Sequence, residues 1–282
     1  MIVVTGQTAT GKTALALKLA KKYNGELVNF DSRQVYKYLD IITGKDLPAS
    51  KIHLYDIVEP DRYFSSHDFA LRARPVVDDI IKRGKTPILV GGTYLYLKHL
   101  LYGFDIGAPP NFALRDKLNS KTVEELQNEL KKLDLQTFEK MNYGDQNNPR
   151  RLVRKIEIVH SSSGAERSRE EKSSRPARTI KPKIFIGLRF EMAVDLRHII
   201  KTRAEKRLKQ GAIEEVKSIL KKGYKETDPG LKTIGYQELI MYLKGKISKE
   251  KAIEYWINHE VQYAHRQYTF MKKDNNITWR EI

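Results

Sequence analysis

Gly6-Gln7-Thr8-Ala9-Thr10-Gly11-Lys12-Thr13 follows the β-branched residues Ile2, Val3 and Val4 and runs into an apolar stretch at helical spacing. The pattern G-x-x-x-x-G-K-[ST] gains its meaning from that context of strand, loop and helix. The glycines let the backbone turn tightly, so that its N–H groups face inward. Lys12 adds a point charge, Thr13 offers a hydroxyl to Mg²⁺, and the following helix contributes its positive end. All eight residues are therefore expected at a diphosphate or triphosphate.

The same unit commits the first part of the chain to an α/β fold. Strands are expected at Ile2–Thr5, Glu26–Phe30, Ile52–Val58 and Thr86–Gly91. Helices are expected at Thr13–Tyr23, Phe64–Arg83 and Tyr94–Tyr102. Strands alternating with helices indicate a parallel sheet covered on both faces, with ligands at the carboxyl ends of the strands. Gly6–Thr13, Asp31-Ser32 and Gly91-Gly92-Thr93 all lie at such ends. Pro109-Pro110 interrupt the alternation, and helices without strands follow to about His160. A polar stretch comes next, and "KIFIGL" at Lys183–Leu188 returns to a strand. Helices then dominate from about Asp195 to Lys272. The economical organisation is a first core part over 1–110, a helical insertion with a basic loop over 111–182, and a return to the core over 183–282.

Charge narrows the partners. Lys and Arg number 52 against 35 Asp and Glu, a net charge of +17. Such an excess favours polyanions, nucleic acid above all. Between Asn148 and Lys183 there are 11 Lys and Arg against four Glu. Cysteine is absent, which excludes disulfides and thiolate zinc sites. No window approaches the roughly 18 consecutive apolar residues of a membrane span. Met1 stands directly before the first strand, so no signal peptide and a cytoplasmic location are expected.

A nucleotide hydrolase or kinase is the ordinary reading of the phosphate loop, with Asp31 after "ELVNF" as a metal carboxylate. Yet Ser32, Arg33 and Gln34 follow at once, more polar groups than a helix cap requires.

In "GQTATGKT", "DSRQVY", "HLYDIV", "RGKTPILVGGTYLYLKHLLYG", "APPNFALR", "NPRRLVRKIEIV", "TIGYQE" and "YAHRQYTF", in that order, the chain resembles the tRNA dimethylallyltransferases of bacterial type, also called tRNA isopentenyltransferases. The resemblance implies a P-loop α/β core with a helical insertion. It also implies transfer of a dimethylallyl group from dimethylallyl diphosphate to N6 of adenosine 37 in the tRNA anticodon loop. Lys12 and the loop amides would then hold a leaving diphosphate with Mg²⁺, and Arg203 would be a further diphosphate contact. Asp31 would be the base, and Thr93 a contact at the reacting centre. Asp31, Ser32, Arg33 and Gln34 would meet the target base and its neighbours. Arg115, with Arg150, Arg151, Leu152, Val153 and Arg154, would meet the anticodon stem-loop. Tyr236, Gln237, Arg266, Gln267 and Thr269 would supply the carboxyl-terminal contacts.

The chain is expected to act as a monomer. Tyr263 and Tyr268 are expected as core positions of the last helix. The chain departs from the family pattern at Tyr94, where a small residue is usual and the width of the pocket is at stake. It departs again at Ile199, where an Arg is common. A sister activity, prenylation of free adenylate, shares the phosphate loop and the Asp but needs neither the insertion nor the basic stretch.

Overall fold

The computed structural model describes residues 1–45, 51–103, 110–163, 180–191 and 195–282. Most of the expected polar loop between the helical insertion and Lys183 lies outside them. The chain divides into two compact units, Met1–Tyr102 with Ile180–Ile282 and Gly103–Thr179.

The first unit is built on β1 (Ile2–Gly6), α1 (Lys12–Lys22), β2 (Gly25–Asn29), β3 (Ile52–His53), α2 (Ser66–Lys82), β4 (Thr86–Val90) and α3 (Tyr94–Tyr102). Six strands form one sheet in the order β3-β2-β4-β1-β5-β6, with β5 at Ile184–Arg189 and β6 at Thr278–Glu281. Every pairing is parallel, and the central register sets Val3 beside Leu89 and Phe185. The two-residue period of a strand sorts β1 between the faces. Ile2 and Val4 pack with Ala16 of α1 on one face, and Val3 packs with Phe69, Val77 and Leu97 of α2 and α3 on the other. α2 starts at a reciprocal cap: Ser65 Oγ accepts the Asp68 amide at 3.2 Å, and the Asp68 carboxylate accepts the Ser65 amide at 2.8 Å.

Two strand expectations need correction. Ile52–Val58 is a strand only at Ile52–His53, because Leu54 (φ 68°) and Asp56 (φ 56°) enter the left-handed region, which an extended ladder cannot pass through. β6 was not expected at all. It is a four-residue edge strand, largely exposed, whose sequence Thr-Trp-Arg-Glu carries no sustained alternation.

The same unit contains α9 (Leu196–Lys209), α10 (Ala212–Lys221), α11 (Tyr236–Leu243) and α12 (Lys249–Met271). Their shared core holds Ile200, Val216, Leu239 and Trp256, together with Val35, Leu39 and Ile42 from the segment after β2. That segment carries Asp31–Gln34, so these helices fix where those residues stand.

The second unit comprises α4 (Phe112–Asn119), α5 (Val123–Leu133), α6 (Leu135–Glu139), α7 (Tyr143–Gln146) and α8 (Pro149–Ser163). Leu118, Leu126, Leu130, Phe138, Leu152 and Ile156 form its core. Among the described residues no helix is long and apolar enough to cross a membrane.

Candidate active site

Gly6 ends β1 where the backbone meets β5 so closely that a β-carbon would lie 2.2 Å from the Leu188 carbonyl oxygen. Only glycine fits that approach. The loop then turns through Ala9 (φ 66°) and Gly11 (φ 74°), both left-handed. Ala9 holds this conformation at a cost of about 1–2 kcal/mol, the kind of strain found at ligand loops. The Thr10 hydroxyl donates to the Gln7 carbonyl at 2.8 Å, and Lys12 Nζ donates to the same carbonyl at 2.5 Å. Gly11 caps α1 without a side chain to occupy its first amides, which leaves that end suited to an anion.

Thr8, Ala9, Gly11, Lys12 and Thr13 line a crevice at the carboxyl ends of the central strands. Asp31 and Gln34, from beyond β2, face the same crevice, as does Gly91, from beyond β4. Asp31 Oδ1 accepts the Arg33 amide at 2.9 Å, and its other oxygen lies 3.4 Å from where a β-carbon on Gly92 would stand. Thr93 Oγ1 accepts the Ser32 amide at 3.0 Å and donates to Ser32 Oγ at 3.1 Å. The Asp31-Ser32 and Gly92-Thr93 turns are thus locked together. Gln34 Nε2 donates to the Thr43 and Gly44 carbonyls, closing the segment that follows. Arg33 Nη1 reaches the Pro229 carbonyl at 3.5 Å. Arg203 on α9 lines the crevice and donates through Nη1 to the Thr8 hydroxyl at 2.5 Å.

Several expected contacts are instead internal to the protein. The Gln7 side chain is buried, donating to the Ala264 carbonyl at 3.4 Å and accepting the Phe190 amide at 3.1 Å, so only its backbone belongs to the phosphate loop. Gln267, expected at tRNA, is buried on α12. Its Oε1 accepts the Thr8 amide at 2.8 Å and its Nε2 donates to the Gly92 carbonyl at 3.0 Å, bridging the loops after β1 and β4. Tyr236 is fully buried and its hydroxyl donates to Glu215; Gln237 Nε2 donates to the Glu226 and Leu231 carbonyls. Leu152 and Val153 are core residues of the second unit. The helical period of "NPRRLVRKIEIV" turns them inward between the arginines. Arg115 and Arg154 both bind the buried Glu157. Arg150, Arg151, Arg266 and Thr269 are exposed.

Tyr94 does not narrow the crevice. It is buried in the core that includes Phe69 and Leu97, and its hydroxyl donates to Asp274 at 2.5 Å, beside that of Tyr102 at 2.8 Å. Tyr263, expected as core, lines the crevice instead. Burial pushes its phenol well above the ordinary value; the Asp31 carboxylate reinforces this, and hydrogen bonds with Thr93 and Gln267 oppose it. Tyr263 therefore remains protonated across the physiological range. Tyr268 is a packing residue, edge-on to Trp279 with its hydroxyl bonded by Arg189. Ile199, Lys206 and Arg207 of α9 also line the crevice. The four-residue spacing of 199, 203 and 207 on one helix face was the available sequence signal for Arg207.

The family description "IPP transferase" matches residues 34–274, beginning three residues after Asp31 and leaving the loop Gly6–Thr13 outside the match. The chain is 35% identical over 291 aligned positions to a tRNA dimethylallyltransferase of Thermoanaerobacter sp. (strain X514), covering 99% of this chain and 90% of that one. It is 37% identical to the tRNA dimethylallyltransferase of Carboxydothermus hydrogenoformans, covering 99% and 91%. Its fold is similar to the crystal structure of a tRNA isopentenylpyrophosphate transferase from Bacillus halodurans, with a TM-score of 0.70, 32% identity and coverage of 99% and 89%. A eukaryotic dimethylallyltransferase described as acting on tRNA superposes with a TM-score of 0.78 at 28% identity, covering 100% of this chain and 73% of that one. With one family description across residues 34–274 and relatives at 35% and 37% identity along nearly its whole length, the chain belongs to the IPP transferase family.

Proposed function

We propose that this chain transfers the dimethylallyl group of dimethylallyl diphosphate to N6 of adenosine 37 in the anticodon loop of tRNA, releasing diphosphate. The observation that carries the reading is that the phosphate loop and Asp31 face one crevice, with Thr93 bonded to the residue after Asp31, in a chain of the IPP transferase family.

In the transfer, the allylic C–O bond breaks with its electron pair leaving on the diphosphate, and a C–N bond forms to N6. Lys12, the amides at the start of α1 and Arg203 stand where that charge develops, and fixed donors at developing charge are the largest lever a site has. Once bonded to carbon, N6 must lose a proton, and Asp31 is the crevice carboxylate set to receive it. Its Arg33 amide bond holds one oxygen in place and leaves the other toward Gly92. Thr13 beside Lys12 fits Mg²⁺, a hard cation that takes hydroxyl, water and substrate phosphate oxygens rather than a full protein cage. When bound, Mg²⁺ would offset charge on the leaving diphosphate. Exposed Arg150, Arg151, Arg266 and Thr269 supply phosphate and loop contacts to tRNA, as the charge of +17 favours. The enzyme acts in the cytoplasm, as a monomer.

The test is incubation with labelled dimethylallyl diphosphate and Mg²⁺, offering tRNA, AMP or ATP. Label confined to adenosine 37 of tRNA supports the proposal. Label in AMP or ATP replaces it with the adenylate activity, and stoichiometric ADP without prenyl transfer replaces it with a kinase.

A further inference from the structure

Arg207 enters the crevice from α9, one helical turn beyond Arg203. Its residue is 4% exposed, unusual for a charge that no long-chain surface role requires. Nη1 donates to Glu260 Oε1 at 2.9 Å, and that oxygen also accepts Trp256 Nε1 at 3.2 Å. Nη2 lies beside Gly44, which lines the crevice. A β-carbon at Gly44 would stand 2.6 Å from Arg207 Nη2 and 2.7 Å from Arg203 Nη2. Gly44 adopts φ 64°, where glycine is at ease, and its missing β-carbon is the space both guanidinium tips use.

Two like charges beside one glycine repel each other, and an anion between them offsets that repulsion. The surroundings favour one. Lys12, Lys45, Arg203, Lys206 and Arg207 line the crevice against Asp31 and Asp40. Lys45 already satisfies Asp40 at 2.6 Å and Asp56 at 2.5 Å. Arg203 is tied to Thr8 of the phosphate loop, so the two tips stand beside the phosphate position. A buried ion pair contributes little net stability, so Arg207–Glu260 is poorly explained as core cement alone.

We infer that Arg207 is a second guanidinium of the diphosphate site, gripping a phosphoryl group of the prenyl donor together with Arg203 while Glu260 holds its other end. The inference rests on the donor being a diphosphate, as proposed above. The test uses Arg207→Met and the double variant Arg207→Met/Glu260→Gln, which leaves no unpaired carboxylate in the core. Calorimetry reads the affinity for inorganic diphosphate, kinetics the KM for dimethylallyl diphosphate, a gel-shift titration the tRNA affinity, and a melting curve the Tm. Both variants should lose roughly ten- to hundredfold in diphosphate affinity, the scale of one charged hydrogen-bonding group. KM should rise in parallel and tRNA affinity should hold, with the double variant melting closer to wild type than the single. If the double variant binds diphosphate like wild type, Arg207 serves only the core and the inference is overturned. If wild-type protein binds no diphosphate and uses no allylic donor, the reading beneath it fails, and the inference with it.

Discussion

Asp31 illustrates how much one residue's role depends on its second oxygen. One oxygen fixes the turn through the Arg33 amide, and the other faces Gly92. Asp31→Asn keeps an acceptor for that amide but cannot take a proton. Turnover should fall roughly a hundredfold or more, the scale of a positioned base, with tRNA affinity and Tm unchanged. Steady-state kinetics beside a binding titration reads this directly, and wild-type turnover in the variant refutes the assignment. Tyr94 is the contrasting case. Burial alone would raise the Asp274 carboxyl, but hydrogen bonds from Tyr94, the Asn276 amide, Tyr102 and the Asn276 side chain outweigh it and leave the group below its ordinary value. Tyr94→Phe removes one donor from that carboxylate, and neither Tyr94 nor Asp274 lines the crevice. It should cost about 1–3 kcal/mol of stability while kcat stays at the wild-type level, measured by denaturant melts and kinetics together.

At the scale of elements, α4 and α8 share one buried charge. Glu157 is fully buried on α8, and burial alone would raise its carboxyl. Bonds from Arg115, the Asn111 amide and Arg154 bring it below the ordinary value instead. Arg115 Nε and Nη2 both donate to it at 2.9 Å. Arg115→Ala should therefore unfold the second unit more readily, by about 1–3 kcal/mol, because the buried carboxylate loses its two-pronged donor and keeps only Arg154 and the Asn111 amide. Arg151, with a side chain 60% exposed and paired with Asp145, has no such duty. Arg151→Ala should shift stability by less than about 0.5 kcal/mol, so any drop in its tRNA affinity reports RNA binding by that side chain. The first unit has an ionic joint of its own. Glu26 of β2 receives Arg83 and Lys85, flanking β4's entry, and His53 of β3 at 2.8 Å. Hydrogen bonds from Arg83, then Lys85, then His53, against opposing burial, hold its carboxyl well below the ordinary range. A depressed carboxyl stabilises the fold above its unfolded value of about 4.3 and loses that contribution as pH falls toward its folded value. Wild type should thus lose stability progressively below about pH 4.5, and Glu26→Gln should flatten that acid limb in a Tm-against-pH series.

For the whole molecule, a net charge of +17 makes RNA binding a counterion problem. Affinity for tRNA should fall linearly in a plot of log K against log salt. Removing Arg150 or Arg151 should lower the slope by about 0.7–0.9 for each phosphate that is no longer neutralised. A salt series of filter-binding titrations measures it, and an unchanged slope would assign those arginines to solvation. If the donor binds as proposed, its affinity should change little over the same series, because a charge held inside a crevice is screened less than one on the surface.

What the chain order alone determined was the local chemistry. The phosphate loop, the parallel α/β core and the helical middle all follow from residues that are sequence neighbours and from periods of two and 3.6. The strand ends carrying Gly6–Thr13, Asp31 and Gly91–Thr93 were legible for that reason. Tertiary structure decided which polar groups face the crevice and which are spent inside. Gln267 bridges to Thr8 and Gly92, Tyr236 closes onto Glu215, and Arg207 divides itself between Glu260 and Gly44. Each of those outcomes depends on a partner brought close by packing from a distant part of the chain. No local spacing encodes such a partner, and a buried polar group takes whichever one the packed core provides.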